Sequence, residues 1–150
     1  MNQTKDIALT AQTVLDALGA PVTVVGSINA DLTVETERLP GPGETVIGGP
    51  LVTLPGGKSA NQAVTCALLG AKTKIIGAVG NDGHGDLLMA SLNSAGVDTT
   101  GVKRREGASG STLITVDAAG ENTIVYSAGT NALVNAELVR EESKLITSAK

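Results

Sequence analysis

Between Leu54 and Val64 the chain reads LPGGKSANQAV, a Gly-Gly-Lys-Ser bend that runs into a helical pattern. The ending matches a phosphate-binding loop, Gly-x-x-x-x-Gly-Lys-Ser/Thr, but the leading glycine of that signature would fall at Val52. Pro55 also removes one of the backbone N–H groups on which a phosphate cradle depends. The segment fails as a nucleotide loop and keeps a different capacity. Gly56 and Gly57 let the backbone approach a ligand without an intervening side chain. Lys58 brings a charged donor to the same place, and Asn61, one helical turn on, offers both a donor and an acceptor.

Upstream, Asn29 and Asp31 follow the apolar run VTVVGSI and are expected just past the end of a core strand, where α/β sheets place their ligands. A carboxylate there can accept hydrogen bonds from two neighbouring hydroxyls at once. Asn29, Asp31, Lys58 and Asn61 around a Gly-Gly bend form a set that reads hydroxyl groups, which suits a sugar better than a phosphate.

The other residues with chemical potential have plainer explanations. Asp82, in GNDGHGD, has the spacing of a helix N-cap rather than of a catalytic base. His84, the single histidine, sits between two glycines with no second metal-ligand type beside it and reads as surface loop. Cys66 falls within the helix after the bend, as a small core residue. Lys103–Glu106, KRRE, precedes a Gly/Ser turn and reads as a solvated loop.

The elements that must hold these residues are legible as a pattern. VTVVGSIN (22–29) is a compact β-branched run, expected to be a buried strand. Residues 31–37 and 44–54 follow as half-polar strands, the second broken at Gly48, Gly49 and Pro50, where a bulge is expected. From Ser59 the period becomes helical, with Ala60, Ala63, Val64, Ala67 and Leu68 on one face and Gly70 as the stop. A strand over 72–80 and a helix aligning Leu88, Leu92 and Ala95 complete a strand-helix-strand-helix run, the signature of βαβ units and a parallel sheet. Two further half-polar strands, 111–117 and 122–127, flank a turn in which Gly120 suits a positive φ. A helix is expected over roughly 135–148. Four half-polar strands in all are enough for a small second sheet standing off the core. Ahead of the fold, Ile7, Ala11, Val14, Leu15 and Leu18 lie at helical spacing, so residues 1–20 are expected to form a helical extension and 21–150 the main unit.

Bulk properties narrow the function classes. The chain has 150 residues, a formal net charge of −4, one Tyr and no Phe or Trp. An acidic chain without aromatic platforms is not built to hold nucleic acid. One cysteine excludes an internal disulfide, and no apolar run reaches the ~20 residues of a membrane span. The N-terminus lacks the features of a secretory signal, so a soluble cytoplasmic protein is expected.

GSINADLTVETERLPGPGETV, GGKSANQAVTCALLGAKTKIIGAVGNDGHGDLL and GENTIVYSAGTNALV together resemble the N-terminal half of the ribokinase-like (PfkB) sugar kinases, over about residues 22–140. The members that phosphorylate ribose are the nearest. The resemblance implies a Rossmann-like α/β parallel sheet with helices on both faces and a small β-sheet lid, which also makes a homodimer contact. It implies that Asn29, Asp31, Gly57, Lys58 and Asn61 bind ribose hydroxyls, that Gly56 shapes the bend, and that Thr112 and Ile114 line the pocket from the lid. ATP, Mg²⁺ and K⁺ are implied with it. Their sites, and the Gly-Ala-Gly-Asp segment that supplies the general base, have no counterpart in these 150 residues; neither has the Asn-x-x-Glu motif. The expected activity is transfer of the ATP γ-phosphate to the primary hydroxyl of D-ribose, with fructokinase or nucleoside kinase as alternatives. A third alternative is a non-catalytic module that binds sugar and dimerises. The sequence departs from the family pattern at Pro55 and at Ser59, commonly Gly, a change expected to alter pocket width.

Overall fold

The computed structural model describes residues 21–147. The helix expected over 5–18 lies outside them. Strand β1 (Val22–Val25), strand β4 (Thr73–Gly80) and strand β5 (Asp98–Arg105) form a parallel sheet in the order β1-β4-β5. Strand β2 (Asn29–Glu35), strand β3 (Val52–Gly56), strand β6 (Gly110–Val116) and strand β7 (Asn122–Ser127) form a second sheet in the order β3-β2-β6-β7. That sheet is mixed: β2 pairs parallel with β6, while β3 and β7 are antiparallel to their neighbours. The arrangement is an α/β fold with one parallel and one mixed sheet.

The parallel sheet is covered on both faces because β4 is apolar in both registers. Ile75 and Val79 point to the side occupied by helix α1 (Lys58–Leu68) and helix α2 (Gly83–Ser94). They pack there with Ile28, Ala60, Ala63, Leu88, Leu92 and Val97, all buried. Ile76 and Ala78 are equally buried on the other side. A short 3₁₀ segment (Gly129–Leu133) meets that face, where the Thr130 hydroxyl donates to the Ala78 carbonyl at 3.3 Å. Helix α3 (Ala136–Glu141) and helix α4 (Ser143–Thr147) follow, and Thr23 Oγ1 donates to the Leu145 carbonyl at 2.9 Å. A strand buried on both faces, with no aromatic in the core, reflects the close approach that small aliphatic side chains permit.

Several expectations are corrected. Residues 44–51 are not strand apart from a single bridge between Thr36 and Gly48, and β3 starts at Val52. Gly48, Gly49 and Pro50 interrupt the ladder, and the Arg38–Glu44 ion pair with the Gly41 amide on the Glu44 carboxylate closes a turn instead. Together Arg38, first, and then the Gly41 amide hold the Glu44 carboxyl down at about 2. KRRE is not loop: Lys103, Arg104 and Arg105 end β5, a strand that the polar run DTTGVKRR concealed. Lys103 pairs with Glu142 and Arg104 with Asp86, which ties the strand end to α2 and to the residue between α3 and α4. Leu68 is 74% exposed rather than buried, because the face of α1 that meets the sheet ends with Ala67. Cys66 is half-buried, not core. The single helix expected over 135–148 is two short ones, separated at Glu142. β1 is half-buried rather than buried, since among the described residues only β4 pairs with it.

Candidate functional site

The two sheets are joined at Ser27–Ile28, where β1 passes into β2, and the site forms below that crossing. Asn29 and Asp31 lie past the end of β1, as expected, and belong to the strand that follows it. They occupy the first and third positions of β2 in the second sheet, so both side chains take the same face. Register then decides what stands beside them. Asp31 is level with Thr112 on β6, and Thr112 with Tyr126 on β7. One rung further, Thr33 is level with Ile114, and Ile114 with Ile124. A single sheet face therefore carries the Asn29 amide, the Asp31 carboxylate, the hydroxyls of Thr33, Thr112 and Tyr126 and two aliphatic side chains.

The opposite wall comes from the Gly-Gly-Lys bend. Gly57 precedes α1 with φ 97, and a Cβ there would lie 2.7 Å from the Ser27 carbonyl oxygen and 2.9 Å from the Asn29 nitrogen. Only glycine lets the helix start this close to β2. Lys58 is thereby placed at the first turn of α1 and Asn61 one turn on, on the same side. Between the walls lies a cavity of about 420 Å³. Ser27, Asn29, Asp31, Gly57, Lys58 and Asn61 line one part of it, and Thr112, Ile114, Ile124 and Tyr126 line the rest.

Gly56 is not in the lining. A Cβ at that position would meet Asp31 Oδ2 at 2.0 Å, so its bare backbone makes room for the carboxylate instead. Ser59 is not in the lining either: its hydroxyl donates to the Val25 carbonyl at 3.3 Å. Pro55 sits on β3, an edge strand, where a missing N–H costs no ladder bond if it faces outward. Ser27, Ile124 and Tyr126 were not singled out from the sequence. The alternation of NTIVYS carried the signal for the last two, since Ile124 and Tyr126 share one face of a strand.

The lining is chemically divided. Asn29 and Thr112 are buried polar side chains, each 8% exposed, and Asn29 Oδ1 accepts from Asn131 Nδ2 at 2.7 Å. Acceptors, donors and one cation thus lie against the apolar surface of Ile114, Ile124 and the Tyr126 ring. A ring or chain of hydroxyl-bearing carbons has both kinds of surface.

The remaining candidates lie elsewhere. Asp82 caps α2, accepting from the Gly85 amide at 2.7 Å. The Ser109 hydroxyl at 2.6 Å and the Ser109 amide at 2.8 Å complete its shell. Burial pushes its carboxyl up, but the Ser109 hydroxyl, the Ser109 and Gly85 amides and the charge of His84 outweigh it, leaving the group below its ordinary range. His84 is half-buried in the first turn of α2, not in a surface loop. Among the described residues no group of three His, Cys, Asp or Glu is placed to hold a metal.

The chain matches the family described as pfkB family carbohydrate kinase over residues 20–150. It is 40% identical to a ribokinase of Mus musculus over 132 residues, covering 87% of this chain and 41% of that protein. A solved ribokinase of Thermotoga maritima is similar with a TM-score of 0.78 and 32% identity, over 87% of this chain and 43% of the other. An Arabidopsis thaliana ribokinase, solved in complex with ribose and ATP, is similar with a TM-score of 0.68 and 39% identity, over 75% of this chain and 37% of the other. The chain therefore spans about two-fifths of the relatives it matches. With a family match across nearly all of the fold described above, the chain belongs to the pfkB family of carbohydrate kinases.

Proposed function

We propose that residues 21–150 are the sugar-binding half of an ATP-dependent sugar kinase whose acceptor is D-ribose, phosphorylated at its primary hydroxyl to ribose 5-phosphate. The observation that carries this reading is one cavity on which Asn29, Asp31, Gly57, Lys58 and Asn61 converge beneath Thr112 and Ile114. Asp31 accepts from sugar hydroxyls, Asn29, Lys58 and Asn61 donate to their oxygens, and Ile114 with its neighbours covers the carbon face. The likeness to an Arabidopsis ribokinase solved with ribose and ATP supports the pairing of substrates.

Phosphoryl transfer requires the acceptor hydroxyl, the γ-phosphate and the metal to be held in line. The residues described here serve the acceptor side alone, by orienting the hydroxyl and excluding water. Among the described residues no group of three His, Cys, Asp or Glu is placed to hold Mg²⁺, and the roles assigned here are those of sugar binding. The second sheet acts as the lid over the sugar. Its other face exposes Leu113 and Val125, directly opposite one another and 56% and 65% exposed, and this is the surface proposed for homodimer contact.

Titration calorimetry with D-ribose, D-fructose and a nucleoside tests the reading. Saturable binding that is tightest for ribose is the expected result. Preference for fructose or a nucleoside would move the assignment within the family, and no binding to any of the three would overturn it. A second reading keeps only the sugar site and the exposed Leu113–Val125 pair: a module that binds sugar and self-associates without turnover. Ribose-dependent formation of ADP by this polypeptide would exclude that reading.

A further inference from the structure

Asn131 belongs to no motif of the sugar-reading set, yet it makes three hydrogen bonds at the point where the two sheets join. Its Oδ1 accepts from the Ile28 amide at 3.0 Å. Its Nδ2 donates to the Ile28 carbonyl at 3.2 Å and to Asn29 Oδ1 at 2.7 Å. The residue sits in the 3₁₀ segment after β7, so it fastens the chain returning from the second sheet to the chain entering it.

The chemistry of this chain of bonds has only one consistent polarity. A backbone N–H can only donate, so Asn131 must turn its oxygen to Ile28. Its NH₂ then faces Asn29, which must answer with oxygen. The NH₂ of Asn29 is left for the cavity that this residue lines. A free asparagine could present either end of its amide to a ligand; this one is held in a single orientation. The backbone of Ile28 thereby dictates, through two side chains, that a donor stands next to the Asp31 acceptor. Gly110 leaves the space for this: a Cβ there would lie 1.9 Å from Asn131 Nδ2 and 2.7 Å from Asn29 Oδ1.

We propose that Asn131 is a positioning residue that fixes the amide of Asn29 with its NH₂ toward the cavity, so that the site selects a hydroxyl able to accept from Asn29 while donating to Asp31. The proposal rests on the sugar-binding reading of the cavity for its ligand, but not for the amide orientation itself. Asn131→Asp keeps the acceptor for the Ile28 amide and has nearly the same shape, yet cannot donate. Asn29 then turns its NH₂ to the new carboxylate and its oxygen to the cavity, beside a second acceptor. Gly110→Ala pushes on the same contact from the other side.

The test has a ligand-free arm and a ligand arm on the purified protein. In ¹⁵N-labelled protein without sugar, the Asn29 side-chain amide is expected to exchange rapidly with water, and in Asn131→Asp to become protected at least tenfold. In calorimetry, D-ribose is expected to bind Asn131→Asp at least tenfold more weakly at a temperature where the variant is fully folded, its melting point lowered by the lost bond to the Ile28 carbonyl, with Gly110→Ala weakened in the same direction. A merely structural asparagine would lower the melting temperature just as much but leave the Asn29 amide exchange as it was. Unchanged exchange at Asn29 in Asn131→Asp overturns the proposal whether or not ribose binds. Altered exchange with no ribose binding by the wild type upholds the clamp and sinks the sugar reading instead.

Discussion

Asp31 and Lys58 are the two charged side chains in the cavity lining, one an acceptor and the other a donor. Hydrogen bonds to a charged group contribute about 1.5–3 kcal/mol each. Asp31→Ala is therefore expected to weaken ribose binding by roughly 10–100-fold, at little cost to folding, since Asp31 is only half-buried. Unchanged affinity in calorimetry would show that the carboxylate does not touch the sugar. Asp82 belongs to stability rather than to the site. Its carboxyl titrates below the ordinary 3.8, so its contribution is fully present above that value and is lost as the pH falls through the lower, folded-state one. Asp82→Ala removes the α2 cap and the acceptor of the Ser109 hydroxyl and amide, with an expected loss of about 2 kcal/mol near neutral pH. Denaturant melts of wild type and variant are expected to converge as the pH drops below about 4. Parallel curves down to pH 2 would contradict the assignment.

Among the elements, the start of α1 is the most demanding. Gly57 combines a positive φ with a Cβ position under 3 Å from two backbone atoms of the neighbouring crossing. Gly57→Ala is expected to cost more than the 1–2 kcal/mol of a left-handed conformation alone, because the helix must also move. That movement carries Lys58 and Asn61 with it, so ribose affinity is expected to fall about tenfold or more while the far-UV circular dichroism stays that of a folded protein. Affinity equal to wild type would mean that the bend does not set the width of the site. The β2–β6 pairing is the other decisive element. It is parallel, and it levels Asp31 with Thr112, so a slip of one residue would turn either side chain away from the cavity.

At the scale of the molecule, the core and the second sheet make separate demands. Leu88 is buried between α2 and the parallel sheet, and Leu88→Ala is expected to destabilise the protein by about 2–5 kcal/mol through the lost burial and the cavity left behind. The second sheet instead exposes Leu113 and Val125 as an adjacent pair. If this face joins two copies, the double substitution Leu113→Lys and Val125→Lys shifts the sedimentation of the protein to that of a monomer without unfolding it. A monomeric wild type would remove the homodimer from the reading.

Much of this organisation was legible from residue order. Periodicity located α1, α2 and β4, because an apolar stripe of period 3.6 and a short β-branched run have few other ways to leave water. Four half-polar strands pointed to a second sheet, and residue types with the Gly-Gly bend pointed to a hydroxyl-reading site. Where a polar strand is held by its neighbour rather than by its own apolar face, as in β5, no such signal exists. The chain by itself determined which polar residues flank the Gly-Gly bend and which segments would carry them, since propensity and local sterics act within a few residues. Only the tertiary structure decided that Asp31, Thr112 and Tyr126 share a rung, that Gly56 serves Asp31 rather than the cavity, and that Asn131 grips Asn29 from 102 positions away. Those outcomes depend on strand register and on atoms brought together across the fold, which residue order specifies only through the whole structure at once.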